Sequence, residues 1–215
     1  RILLGNELTR GFGAGGLAQR GREAAKESLS ELKKALSNSD MVFVIAGMGG
    51  GTGTGAAPVV AQIAKETGAI VIGVVTMPFE AERARVDKAE FGLQELRDVT
   101  DTCIVLDNNR LVDIAGQLPI EQAFAVANEL VSTMIKGIVE TITLPSLINL
   151  DYADVKTIMA GGGVAVIGIG EADTQNRVME AVNQALTHPL LDVDYRGATG
   201  ALVHITCGPD LQLHE

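Results

Sequence analysis

Between residues 41 and 67 the chain runs Met41-Val42-Phe43-Val44-Ile45-Ala46, then Gly49-Gly50-Gly51-Thr52-Gly53-Thr54-Gly55, then a helix-like segment from Ala56. The first run is apolar enough to be a strand buried on both faces, which belongs in a mostly parallel sheet covered by helices. A glycine-rich loop between such a strand and a helix can reach positive φ and approach a ligand closely, and the helix behind it offers unpaired N–H groups with partial positive charge. The order strand, glycine loop, helix is therefore that of a phosphate cradle, to which the two threonines add hydroxyl donors. The lysine that the pattern G-x-x-x-x-G-K-[ST] requires does not follow the glycines. The charge of a bound phosphate then falls to backbone amides, a distant arginine or a metal.

The rest of the chain repeats this alternation. Helices are expected at about 17–37, 55–67 and 82–98, and strands at 41–46, 69–75 and 101–106. A short helix near 109–115 precedes a long one at about 120–139, where Ala123, Val126, Ala127, Leu130, Met134 and Ile138 recur at helical spacing. A short helix from 151, a strand at 163–169, a helix at 173–187 and a strand at 200–207 make a smaller mixed α+β unit. The fold class is α/β with a mostly parallel sheet, a long central helix and a smaller second domain. The boundary is expected near 140, giving domains 1–140 and 141–215.

At 215 residues and 47% hydrophobic content the chain has ample material for a core. Its net charge of −10 argues against a nucleic-acid surface, because no Lys/Arg stripe is present to displace counterions. Cys103 and Cys207 lie far apart in apolar runs without C-x-x-C or histidine spacing, so they read as buried free thiols in a reducing compartment rather than as metal ligands. No apolar stretch reaches membrane-spanning length and the first residues are not a signal peptide, so a cytoplasmic protein without direct membrane insertion is expected.

Several residues stand out as chemistry, each with a plainer reading beside it. Gly11-Phe12-Gly13-Ala14-Gly15-Gly16 is a second glycine loop before a helix; alone it is a turn, and with 49–55 it makes a shared phosphate site. A dinucleotide site would need an acid at the end of the next strand to hold a ribose, and that strand ends Gly73-Val74-Val75-Thr76-Met77 instead. Asn149-x-Asp151-x-x-Asp154 places two carboxylates on one helical face, able to orient a water or a hydrated cation, while also suiting a helix N-terminus. Glu82 and Arg85, near Pro78, stand where ligands bind at the carboxyl ends of strands, and equally form an i, i+3 ion pair. Phe124 and Asn128 are either head-of-helix packing or a stacking plate and a base-edge reader.

Taken together, these residues resemble the FtsZ/tubulin family of polymerising GTPases, nearest to its FtsZ branch. The signature Gly49 to Gly55 carries most of the resemblance. It extends through Leu8-Thr9-Arg10-Gly11, Ala57-Pro58-Val59-Val60-Ala61, Val74-Val75-Thr76-x-Pro78-Phe79, Leu147-Ile148-Asn149-x-Asp151-x-Ala153-Asp154-Val155 and Gly197-Ala198-Thr199-Gly200.

The resemblance implies a GTPase domain, a tubulin-like fold and an active site completed between subunits of a head-to-tail filament that serves cell division. It implies that Gly13, Ala14 and Gly15, with Gly50, Gly51, Thr52, Gly53 and Thr54, hold phosphates. Pro78, Glu82, Arg85 and Asn108 join the nucleotide site, with Glu82 and Arg85 reaching ribose and terminal phosphate, and Phe124 stacks on guanine. Asn149, Asp151 and Asp154 are its catalytic set, entering the pocket of the next subunit. GTP/GDP and Mg²⁺ are the implied ligands, with no metal site built by the protein. The partners are further copies of the chain and membrane-tethering division proteins at the division site. A non-catalytic nucleotide-binding or assembly module of the same fold is the alternative.

Three departures accompany the resemblance. Asn128 replaces the guanine-reading aspartate, keeping an acceptor without a charge-assisted bond. Matching Arg85 takes a one-residue gap between Glu80 and Val86, and Ala18 stands in place of a proline. The family pattern also places a strand, a glycine-rich phosphate loop and a helix before Arg1, and further strands after Glu215, so the sequence reads as an internal segment.

Overall fold

The computed structural model describes residues 1–145, 149–160, 163–187, 197–208 and 210–212; Leu147 and Ile148 of the quoted pattern fall outside the described residues. By contact the chain divides into two units, Arg1–Asn109 with Met159–Ala165, and Arg110–Ile158 with Val166–Glu215.

The first unit is built on a parallel sheet in the order β1-β2-β3-β4: β1 (Met41–Gly47), β2 (Ile70–Met77), β3 (Thr102–Asp107) and the short β4 (Val164–Ala165). Gly47 pairs with Thr76 and Met77 with Asp107, so β1, β2 and β3 end at one level. In β2, Ile70 to Val75 are all buried, the continuous apolar run of a strand covered on both faces. Helices α1 (Ala18–Glu27), α2 (Leu29–Leu36), α3 (Thr52–Glu66) and α4 (Ala84–Arg97) complete most of this unit. The core joins Val44, Val71, Val75 and Cys103 of the sheet to Ala57, Ala61 and Ala64 of α3 and to Ala89, Leu93 and Leu96 of α4. Each buried Val or Leu contributes about 1.5–3 kcal/mol by leaving water. The alanines of α3 let that helix lie close against its neighbours.

Two expectations here change in detail. The helix expected over 17–37 is two helices, because Ser28 leaves helical geometry at φ −98° and ψ 18° and donates its hydroxyl to the Leu3 carbonyl at 3.2 Å. The helix expected from 55 begins at Thr52, three residues into glycine-rich sequence of poor helix propensity. Packing overrides propensity there, and Gly55 N–H already bonds Gly51 O at 3.1 Å.

The second unit holds most of α5 (Asn108–Ala115), all of α6 (Ile120–Thr143), most of α7 (Tyr152–Met159) and α8 (Arg177–Leu186). The strand expected at 163–169 is confined to Val164–Ala165, and residues 200–207 form no strand. Val203 and Ile205 are 69% and 70% exposed. A strand exists through its ladder partner, and none is paired to 200–207 among the described residues. Cys207, expected to be buried, is exposed, whereas Cys103 is buried, and burial pushes its thiol up to about 11. Among the described residues no helix is long and apolar enough to cross a membrane.

Candidate functional site

The carboxyl ends of β1 and β2 bring the glycine loops to one place. After β1 the chain continues its pairing through Met48 N–H to Thr76 O at 2.9 Å, then turns at Gly49 with φ +92°. A Cβ on Gly49 would lie 2.8 Å from the Arg85 carbonyl oxygen and 3.3 Å from Pro78 Cγ. Glycine is required there by both conformation and space. This also sets Pro78 and Arg85 directly against the loop.

The loop is braced from within. Thr54 is fully buried, and its hydroxyl oxygen accepts the Gly49 N–H at 2.9 Å. Thr52, by contrast, is exposed. The second glycine loop packs on the first: a Cβ at Gly51 would stand 2.7 Å from Ala14 Cβ and 2.8 Å from Leu17 N. Most glycines of the signature are therefore packing residues. Open space faces only Gly50 within it, and Gly13 and Gly15 in the other loop, where φ is +82° and +60°. These three positions, on two loops held together, leave backbone open to a ligand.

Glu82 is the node beside it. One carboxylate oxygen accepts the Phe79 N–H at 3.1 Å and the other holds Arg85 Nη1 at 2.7 Å. Arg83, between them, sits at φ +38°, an uncommon conformation for a residue with a side chain. Asn108 opens α5 at the carboxyl end of β3. It is flanked by Asp107 and Asn109, which are bonded to each other at 2.8 Å, and Asn109 Oδ1 accepts the Glu80 N–H at 3.0 Å. Those bonds tie the ends of β2 and β3, and nothing in the local pattern announced them.

Lys88 was also not singled out from sequence. From α4 its Nζ donates to the Gly16 carbonyl at 3.0 Å. The available signal was its place one helical turn after Arg85.

The remaining residues belong to the second unit. Phe124 and Asn128 lie one turn apart on α6, Phe124 being 39% exposed. Asn149 is exposed ahead of α7. Asp151 and Asp154 cap that helix reciprocally: Asp154 N–H donates to Asp151 Oδ1 at 2.9 Å, and Asp151 N–H donates to Asp154 Oδ2 at 3.1 Å. Both side chains are exposed. Each carboxylate spends one oxygen on the cap, so the helix-start reading and the water-orienting reading are compatible in one structure.

Comparison with known proteins fits this arrangement. Residues 1–116 match the Tubulin/FtsZ family GTPase domain, and residues 163–215 match the FtsZ family C-terminal domain. The chain belongs to the FtsZ/tubulin family. It is 58% identical over 218 residues to cell division protein FtsZ 2 of Methanocaldococcus jannaschii, covering 100% of this chain and 57% of that protein. It is 60% identical over 215 residues to FtsZ 2 of Haloferax volcanii, covering 100% of this chain and 54% of that protein. The chain thus spans a little over half the length of these relatives. A solved structure described as an empty FtsZ dimer from M. jannaschii superposes with a TM-score of 0.91 at 52% identity, over 98% of this chain and 62% of that one. CetZ from Methanosaeta thermophila, at 24% identity and a TM-score of 0.70, shares the fold. The tubulin-like α/β fold and the membership of a cell-division family follow from these matches.

Proposed function

We propose that this chain is the nucleotide-binding and self-assembling part of a GTPase that forms head-to-tail filaments in the cytoplasm at the division site. The observation that carries the reading is the pair of glycine loops, packed on each other through Gly51 and Ala14, with open space at Gly13, Gly15 and Gly50. In this reading residues 1–140 form the GTP-binding domain and 141–215 the activation domain. Gly13–Gly15 and Gly50–Thr54 hold the phosphates, Glu82 and Arg85 reach the ribose and terminal phosphate, and Pro78 and Asn108 line the site. Phe124 stacks on the base while Asn128 accepts from it.

Hydrolysis breaks the bond between the terminal phosphorus and its bridging oxygen as water attacks in line, giving GDP and inorganic phosphate. Asp151 and Asp154, with Asn149, come from the adjacent copy and orient that water, the free carboxylate oxygens accepting from it. Such positioning is the protein's main contribution to phosphoryl transfer. The contact is heterologous, so each added copy completes one site and exposes another. Among the described residues no three acidic, histidine or cysteine side chains gather as a metal site. Mg²⁺, where bound, would come with the nucleotide, held mainly by phosphate oxygens and water, and supply charge neutralisation. Membrane-tethering division proteins are the further partners.

The test is GTP turnover against protein concentration, for this chain and for a version extended to the length of its relatives. A threshold followed by a steep rise supports a site completed between copies. Turnover per molecule that does not vary with concentration overturns it, and nucleotide binding without turnover in either version favours a non-catalytic assembly module.

A further inference from the structure

A chain of net charge −10 repels an anionic ligand unless cations are placed locally. Around the glycine loops two of the arginines are already engaged with carboxylates, and Arg20 rests on the Leu8 carbonyl. Arg85 is paired with Glu82 at 2.7 Å, and Arg22 of α1 is paired with Glu95 of α4. Lys88 differs. It is exposed, it makes no ion pair among the described residues, and its Nζ rests 3.0 Å from the Gly16 carbonyl oxygen. One carbonyl uses one of the three ammonium donors. The other two N–H groups remain at the rim of a loop whose Gly13 and Gly15 face open space.

We infer that Lys88 supplies, beside Arg85, a second cation that the glycine signature itself lacks. It comes from α4 rather than from the residue after the loop, fixes the first glycine loop through Gly16, and bonds the terminal phosphate of a bound nucleoside triphosphate. The inference rests on the nucleotide reading above and assigns to that site a determinant of triphosphate over diphosphate. A neutral donor would hold the Gly16 carbonyl equally well. A lysine adds charge, and the ligand that uses it is the most highly charged one, the triphosphate.

The test compares Lys88→Gln and Lys88→Arg with the unsubstituted full-length protein, titrating GTP and GDP at two salt concentrations and recording thermal midpoints. Glutamine keeps a neutral donor, whereas arginine keeps the charge. With Lys88→Gln, GTP affinity is expected to fall about tenfold and GDP affinity less than about threefold, the salt dependence of GTP binding is expected to flatten, and the midpoint to hold. Lys88→Arg is expected to stay within about threefold for GTP. Equal losses for both nucleotides, or no loss, would overturn the role of Lys88 while leaving the nucleotide site standing. Failure of the unsubstituted protein to bind either nucleotide would overturn the site and the inference together.

Discussion

At the scale of single residues, Asp154 does two jobs that substitution can separate. Its Oδ2 accepts the Asp151 N–H at 3.1 Å, a bond that an asparagine oxygen can also accept. Asp154→Asn should therefore melt within about 0.5 kcal/mol of the parent, while turnover above the assembly threshold falls on the order of 10²-fold or more. Asp154→Ala should lose about 1 kcal/mol of stability as well. Parallel melting and turnover assays on both variants check this, and full turnover in the asparagine variant would remove the carboxylate from the mechanism. The glycines divide similarly. Gly49→Ala drives a Cβ to 2.8 Å from the Arg85 carbonyl at φ +92° and should cost several kcal/mol, on the order of 2–4. Gly50→Ala meets nothing within 4 Å and should leave the melting midpoint in place while weakening nucleotide binding, since its methyl fills open space beside a backbone proposed to hold phosphate. The Asp151/Asp154 spacing was legible because a cap is a local pattern. Lys88 was not, since its partner Gly16 lies 72 residues away and only the fold brings the two together.

At the scale of elements, α3 and α4 meet where Gly92 faces Thr54. A Cβ on Gly92 would stand 2.3 Å from Thr54 Cγ2, on the residue that braces the signature loop. Gly92→Ala should destabilise by about 1–3 kcal/mol and also weaken nucleotide binding, because the displaced threonine is the acceptor for Gly49 N–H. Gly92→Ala combined with Thr54→Ser, which removes the obstructing methyl and keeps the hydroxyl, should recover most of both losses; denaturant titration and nucleotide binding on the single and double variants measure it. Strand β2 was readable from sequence because a strand covered on both faces is a continuous apolar run. Strand β1, equally apolar and expected to be buried on both faces, is the end strand of the sheet among the described residues, with only Val44 buried and Ile45 58% exposed. Residues 200–207 carry an equally apolar run with Val203 and Ile205, yet lack a ladder partner among the described residues, and apolarity alone does not make a strand. The early start of α3 was illegible for the opposite reason, since its first turn is chosen by packing against the other glycine loop and not by residue propensity.

At the scale of the whole molecule, burial of Cys103 sets an alkaline limit on the fold. Its folded pKa, raised to about 11 mainly by desolvation, exceeds that of an unfolded thiol near about 8.5. The folded state therefore holds the proton longer, so this contribution is intact below about pH 8.5 and is lost as pH climbs towards about 11. Unfolding free energy measured across that range should decline, and Cys103→Ser or Cys103→Ala should flatten the decline. Assembly makes the sharper prediction. If the acids of one copy act on the nucleotide of the next, Asp154→Asn and Arg85→Ala damage opposite faces of the same junction. Each variant alone should be nearly inactive. In an equal mixture, an intact pocket from the Asp154→Asn copy meets intact acids from the Arg85→Ala copy at roughly one junction in four, so about a quarter of the parent turnover should return. Acids acting within their own copy would give no recovery at any mixing ratio, because neither variant then contains a complete site.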